Sequence, residues 1–101
     1  MFTLEELHHA HKVVGAAVPR TPQYVWSLLG LRVGAEVWVK HENHVPTGAF
    51  KVRGGLTYVE RLARERPGAS GLISATRGNH GQSIALAVYA TVCRLRLCPA
   101  R

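Results

Sequence analysis

The amino-acid sequence predicts an α/β fold, in the form of an incomplete parallel sheet with the order strand, helix, strand, helix (βαβα). Residues 35–41 predict a strand, with Val37 and Val39 on one face and Trp38 and Lys40 on the other. A helical apolar stripe follows, at Val52, Leu56, Val59 and Ala63. Residues 67–68, a Pro-Gly pair, end that helix. Residues 72–75 then predict a short buried strand, and residues 83–90 a helix that is apolar on nearly all sides.

The N-terminal residues carry the pattern of a capped helix. Thr3 is followed three positions later by Glu6, which is the spacing of a capping box. Helical spacing then continues through Leu4, Leu7, His11 and Val14. We therefore expect a first helix over residues 4–14. A short strand is expected over residues 24–28, before Gly30 breaks the apolar run.

The predicted order of strands and helices places two loops at one edge of the sheet. Alternating strands and helices favour parallel strands with right-handed crossovers, so both strand-to-helix loops meet at the carboxyl edge. Ligands of open α/β sheets bind along that edge. Residues 43–49 form the first loop and residues 76–82 the second. We therefore expect Lys51, which follows the first loop, to face the same pocket as the second loop.

Length and charge limit the classes of function. A chain of 101 residues allows at most one small domain. Thirteen Lys and Arg residues against six acidic ones give a formal net charge of +7, a feature of nucleic-acid-binding proteins. The basic residues are scattered, however, and several lie at helical spacing from Glu, as Arg64 does from Glu60. We expect no nucleic-acid partner, and a basic nucleic-acid-binding protein remains an alternative.

The histidines and cysteines match no metal-binding pattern. The histidines of residues 8–11 are neighbours on the predicted first helix and are interpreted as surface residues. His41 and His44 are three positions apart, whereas the zinc-protease motif requires four. Cys93 and Cys98 do not have the spacing of a zinc site. We expect no bound metal.

The N-terminus does not have the pattern of a targeting segment. Glu5 and Glu6 stand where a secretory signal is basic and then apolar. No apolar run approaches the length that a membrane span requires. We expect a cytoplasmic protein without a membrane partner.

Lys51 is the first candidate for chemistry. A lysine that anchors an aldehyde covalently needs a partly desolvated amine held in one geometry, because only the neutral amine reacts. Residues 46–48 predict a turn before Lys51, Phe50 offers a flat apolar surface beside it, and residues 54–55 are glycines that leave space beyond it. Most lysines are surface residues, so this segment alone does not indicate an aldehyde anchor. The hypothesis depends on a second segment, residues 72–90.

Three segments together resemble a known enzyme family. They read KHEN at residues 40–43, TGAFKVRGG at 47–55 and SATRGNHGQ at 74–82. They are similar to the pyridoxal-phosphate enzymes related to the tryptophan synthase β-subunit (fold type II), and among these to the threonine and serine dehydratases (threonine ammonia-lyases). The resemblance implies that residues 1–90 form the N-terminal part of a catalytic domain. Residues 91–101 diverge from the family, so we expect a truncated or frame-shifted gene product.

The resemblance also implies a site. Lys51 would hold pyridoxal 5'-phosphate and act as the catalytic base, Phe50 would pack along the cofactor ring, and Asn79 would bind the 3-hydroxyl oxygen of that ring. Residues that would bind the amino-acid substrate are Ser74, Thr76, Gly78 and His80. The implied reaction removes water from L-threonine or L-serine by β-elimination and yields a 2-oxo acid and ammonia. Full-length relatives would be homo-oligomers.

Other interpretations remain open. Taken singly, Phe50 could be a core residue, Asn79 a helix cap, and Gly78 a turn residue. The chain could also be a noncatalytic remnant or an interaction module. Cysteine synthases and serine racemases share the lysine and the asparagine, although Arg77 and the residues just before Lys51 favour threonine as the substrate. We expect the isolated chain to be inactive.

Overall fold

The structure is a computed structural model that describes residues 2–91 and 95–99. In chain order its elements are α1 (Leu4–Ala17), β1 (Gln23–Val25), α2 (Ser27–Val33), β2 (Trp38–Lys40), a 3-10 turn (Glu42–His44), α3 (Lys51–Glu65), β3 (Leu72–Thr76), α4 (Asn79–Thr91) and β4 (Leu95–Pro99). The α/β class predicted from the sequence is therefore present, with helices as the larger part.

Helix α1 begins where the sequence predicts. The Thr3 hydroxyl oxygen accepts the Glu6 backbone N–H at 3.1 Å, and the Glu6 carboxylate accepts the Thr3 backbone N–H at 2.7 Å. This reciprocal pair satisfies two N–H groups that a helix start leaves open. The helix extends to Ala17, beyond the predicted end at residue 14, and packs against α3.

The strand predicted over residues 24–28 is wrong in its second half. Strand β1 ends at Val25, and a helix that the sequence did not predict, α2, begins at Ser27. Gly30 does not break the chain but lies inside α2, where a Cβ atom would be 2.9 Å from the Ala35 carbonyl oxygen. The missing side chain therefore lets the chain fold back closely behind α2. The helix ends at Gly34, whose φ of 69° suits glycine.

The predicted parallel pairing of the two strands before α3 and α4 is also wrong. Strand β2 pairs with β1 in an antiparallel ladder that joins Val25 to Trp38. Strand β3 pairs in parallel with β4, from Leu72 opposite Leu95 to Thr76 opposite Pro99. The crossover that the sequence placed between β2 and β3 thus occurs between β3 and β4. The chain between β1 and β2 contains only α2 and the turn at Gly34, so it reverses direction and β2 pairs with β1 in antiparallel.

The core lies between α3 and α4. The predicted stripe of α3 is buried at Val52, Leu56 and Val59, which are 0%, 2% and 1% exposed. Ala63, predicted to belong to this stripe, is exposed, because the C-terminal turn of α3 extends past the core. Helix α4 contributes Ile84, Ala87 and Val88.

The expected boundary at residue 90 and the expected origin of residues 91–101 stay predictions. Within that segment, residues 92–94 and 100–101, including Cys93, lie outside the described residues. The structure describes Thr91, at the end of α4, and strand β4 within this segment.

Candidate functional site

A cleft of about 420 Å³ lies between the start of α3, strand β3 and the start of α4. Its lining residues are Phe50, Lys51, Gly54, Gly55, Tyr58, Leu72, Ile73, Ser74, His80 and Ile84. Of the seven site residues predicted from the sequence, four line this cleft: Phe50, Lys51, Ser74 and His80. Residues separated in sequence by more than twenty positions are therefore brought to one cavity.

Lys51 occupies the first position of α3, after a tight turn. The Gly48 N–H donates to the Val45 carbonyl oxygen at 2.8 Å, and the φ of Gly48 is 65°, which glycine adopts without strain. Val45 is 4% exposed and fixes the turn to the core. Phe50 is 64% exposed and Lys51 is also exposed, so the described residues do not desolvate the amine as the sequence-based hypothesis requires.

The backbone of Lys51 is held by α4. The Ser83 hydroxyl donates a hydrogen bond of 2.6 Å to the Lys51 carbonyl oxygen. Ser83 is 1% exposed and faces Gly55, where an added Cβ would overlap the serine hydroxyl. Glycine at position 55 thus permits α3 and α4 to approach closely, and the hydroxyl fixes their register at Lys51.

A second group of contacts is centred on the carboxylate of Glu42. Arg53 Nε donates to Oε2 at 2.6 Å, and Arg53 Nη2 donates to Oε1 at 3.1 Å. The Thr21 hydroxyl donates to Oε1 at 2.7 Å, and Lys40 Nζ lies 3.6 Å from the same oxygen. These partners, Arg53 above all, lower the pKa of Glu42 from 4.5 to about 2, against the opposing effect of burial.

The loop between β3 and α4 is shorter than predicted. Residues 76–82 were expected to be a loop, but α4 begins at Asn79. Thr76 Oγ1 accepts hydrogen bonds from the N–H groups of Gly78 at 3.2 Å and Gly81 at 3.1 Å. The same hydroxyl donates to the Gly78 carbonyl oxygen at 3.4 Å. This side chain supplies a partner for a first-turn N–H and allows the helix to start early.

Three predicted site residues do not line the cleft. Thr76 and Gly78 belong to the loop just described, and the hydroxyl of Thr76 is engaged within it. Asn79 is exposed at the start of α4, and its side-chain amide has no hydrogen-bond partner among residues 2–91. Arg77 is exposed on the same loop.

Sequence reasoning missed four residues that shape the site. Ser83 was treated as the first residue of an apolar helix, although a small polar residue opposite a glycine indicates close helix contact. Glu42 and Arg53 carry opposite charges on the two sides of the Lys51 turn, which could have suggested a closing ion pair. Tyr58, two helical turns after Lys51, forms part of the cleft wall.

Residues 15–96 match the family described as pyridoxal-phosphate dependent enzymes. The chain belongs to this family. The prediction of pyridoxal phosphate as the cofactor of the family is thereby confirmed. Within the described residues, no helix is both long and apolar enough to cross a membrane, and no group of three or more His, Cys or acidic side chains is arranged to hold a metal ion.

Relatives support the same family. An L-threonine ammonia-lyase of Thermotoga maritima is 35% identical over 104 residues, which cover 98% of this chain and 26% of that enzyme. An L-threo-3-hydroxyaspartate ammonia-lyase of Saccharomyces cerevisiae is 41% identical over 68% of this chain and 21% of its own. A serine racemase of Dictyostelium discoideum is 33% identical over 95% of this chain and 28% of its own. The chain therefore spans about a quarter of the length of these relatives.

Solved structures show the same fold. A pyridoxal 5'-phosphate-dependent aspartate racemase matches with a TM-score of 0.85 and 25% identity, over 96% of this chain and 31% of that one. A T.th. threonine deaminase matches with a TM-score of 0.76 and 28% identity, over 96% of this chain and 33% of that one. The predicted resemblance to the threonine dehydratase group and the predicted fold type are confirmed. Both lyases and racemases occur among the matches, so the family is shown more firmly than the reaction.

Proposed function

We propose that this chain supplies the cofactor-anchoring side of a pyridoxal-phosphate-dependent lyase that dehydrates L-threonine or L-serine. The observation that carries the proposal is the cleft in which Lys51 and Phe50 from one segment meet Ser74 and His80 from another. The threonine ammonia-lyase that matches 98% of this chain supports the choice of a hydroxy amino acid.

The residues of the cleft fit the aldehyde and the aromatic ring of the cofactor. Lys51 provides a primary amine, and Phe50, Tyr58 and Ile73 provide apolar surface for a flat ring. When bound, the cofactor accepts the electron pair that remains after loss of the Cα proton. Lys51 Nζ is the group that we assign both to hold the cofactor and to take that proton. Asn79 is assigned to the 3-hydroxyl oxygen of the ring, since its amide is not engaged elsewhere within residues 2–91.

The start of α4 is assigned to the substrate carboxylate. Helix N-termini attract anions through N–H groups that lack helical partners. Ser74 lines the cleft, and its hydroxyl forms no hydrogen bond within the described part of the chain, so it can donate to the carboxylate. His80 lines the cleft as well. Gly78 is not assigned to the substrate, because its N–H is bonded to Thr76 Oγ1. Thr76 is assigned to shaping the loop, because its hydroxyl already bonds to two N–H groups.

The reaction assigned to this site is a β-elimination. The Cα–H bond would break and its proton would pass to Lys51 Nζ. The bond between the β-carbon and its hydroxyl would then break, and the hydroxyl would leave as water after Lys51 Nζ returns that proton to its oxygen. Hydrolysis of the resulting enamine gives a 2-oxo acid and ammonia. We expect feeble cofactor binding and no useful turnover by the isolated chain, because Lys51 and Phe50 are exposed to solvent.

The anchoring role can be tested on the chain itself. Purified chain is incubated with pyridoxal phosphate and reduced with borohydride, and mass spectrometry then compares modification at the lysines, Lys12, Lys40 and Lys51. We expect modification at Lys51 to exceed that at Lys12 and Lys40, and to disappear in Lys51→Ala. Equal modification of all three in the folded chain would reject the proposal. The same comparison in urea gives the ratio for an unfolded chain.

A further inference from the structure

The Glu42 carboxylate is the point where three segments of the chain are joined. It accepts two hydrogen bonds from Arg53 on α3 and one from Thr21, which follows α1. The ammonium group of Lys40, at the end of β2, lies 3.6 Å away. The Glu42 side chain is 21% exposed and that of Arg53 is 28% exposed, so this bidentate ion pair is partly shielded from water.

This ion pair closes the loop that carries Phe50 and Lys51. Glu42 and Arg53 are 11 positions apart, and the tight turn before α3 lies between them. Arg53 itself lies in the first turn of α3, two residues after Lys51. Closing a loop removes conformational freedom from every residue in it. The pair therefore restricts the loop from both ends at once.

The hydrogen bond from Ser83 on α4 acts on Lys51 itself, at its carbonyl oxygen. The Ser83 hydroxyl holds the Lys51 carbonyl oxygen, whereas Glu42 holds the loop that precedes Lys51. Without the carboxylate, the backbone of Lys51 would remain attached to α4. The turn before it would keep its anchor at the buried Val45 but would lose the hydrogen bonds that join Glu42 to Thr21 and Arg53.

We infer that Glu42 is a positioning residue for Lys51: through Arg53 it holds the turn and the first turn of α3 so that the amine is presented to the cleft. This inference rests on the proposed anchoring role of Lys51. Glu42 does not line the cleft, so its role is assigned through the loop that it closes. Its effect is on how readily the amine and a ring-bearing aldehyde meet in a reactive arrangement.

The test measures the ratio of Lys51 to Lys12 modification by pyridoxal phosphate and borohydride in Glu42→Gln and Arg53→Met. Lys12 serves as the reference because Lys40 contacts Glu42 directly. We expect the ratio to fall about tenfold in both variants, since small misplacements of reacting groups carry penalties of this order or larger. Arg53→Lys keeps one charged contact and should retain more of the ratio than Arg53→Met.

The matched control is Glu65→Gln. Glu65 accepts a bond of 2.7 Å from Arg61 Nε, the same kind of contact, but at the exposed far end of α3. We expect this variant to keep the wild-type ratio. Far-UV circular dichroism shows whether each variant is folded. If Glu42→Gln loses its helical signal, the test of the positioning role is the ratio of Lys51 to Lys12 modification in Arg53→Lys compared with that in the wild-type chain.

Two failures can be told apart. A wild-type ratio equal to that of the chain in urea would remove the anchoring role of Lys51, and with it the premise. A high wild-type ratio that stays unchanged in folded Glu42→Gln would overturn the positioning role alone.

Discussion

The contact between Gly55 and Ser83 leads to a sharp prediction about stability. Replacing Gly55 with Ala places a methyl group against α4. The new Cβ would overlap the Ser83 hydroxyl and lie 2.9 Å from the Ser83 carbonyl oxygen. The hydroxyl could rotate away, but the carbonyl belongs to the backbone of α4 and cannot. The two helices must therefore move apart.

The size of the effect follows from two opposing contributions. Forcing an extra methyl group into a packed interface costs about 1–3 kcal/mol. Replacing glycine with alanine inside a helix gains about 0.5–1 kcal/mol, because the unfolded chain has less freedom to lose. Taking the midpoints of these two ranges, we expect Gly55→Ala to lower the free energy of unfolding by about 1 kcal/mol.

Gly54→Ala is the matched control, and urea denaturation followed by circular dichroism is the assay. Gly54 lies in the same helix, and an added Cβ meets no atom within 4 Å. This variant should raise the free energy of unfolding by about 0.5–1 kcal/mol, because only the helix contribution applies. The two alanine variants should thus shift the denaturation midpoint in opposite directions. Equal midpoints would refute the close packing of α3 on α4 at this point.

Three further predictions concern single contacts. Glu42 has a pKa of about 2 when folded against an ordinary 4.5, so its contribution to stability is complete above pH 4.5 and is lost as the pH falls to about 2. Acid titration of unfolding should show a shallower loss of stability over this interval in Glu42→Gln. Thr3→Ala removes the helix cap and should cost about 1 kcal/mol in urea denaturation, whereas a change below about 0.3 kcal/mol, on the scale of cap measurements, would argue against the capping box. Val52→Ala, at a position that is 0% exposed, should cost about 2–3 kcal/mol, and a loss no larger than that of an exposed position would contradict its burial.

Short-range patterns in the sequence predicted local structure well. The capping box at Thr3 and Glu6 sets the start of α1 because both partners lie within one helical turn. The stripe of α3 buries Val52, Leu56 and Val59, as helical spacing requires. Helix α2 was missed because the role of Gly30 depends on Ala35, which approaches it only after the chain has folded back.

Strand pairing could not be predicted because it depends on distant partners. The strand pattern of residues 35–41 is equally compatible with an antiparallel and a parallel neighbour. Strand β2 pairs with β1, while β3 pairs with β4, in a segment where no sequence pattern predicted a strand. The predicted pocket shared by Lys51 and the loop of residues 76–82 is met in part, since His80 of that loop and Ser74 of β3 line the cleft with Lys51, whereas Asn79 does not. It arises from the packing of α3 on α4, not from two loops at the edge of one sheet.

Because the cleft arises from the packing of α3 on α4, its backbone is held in place while its walls remain open to solvent. Ser83 and Glu42 fix the backbone on the two sides of the Lys51 amine, and both are polar contacts of short length. The cleft walls, in contrast, are open to solvent, since Phe50, Tyr58 and Ile73 are 64%, 55% and 74% exposed. Ligand affinity comes mainly from enclosing apolar surface, whereas selectivity among chemically equal amines comes from position. The chain should therefore direct an aldehyde to Lys51 in preference to Lys12 and yet hold it weakly.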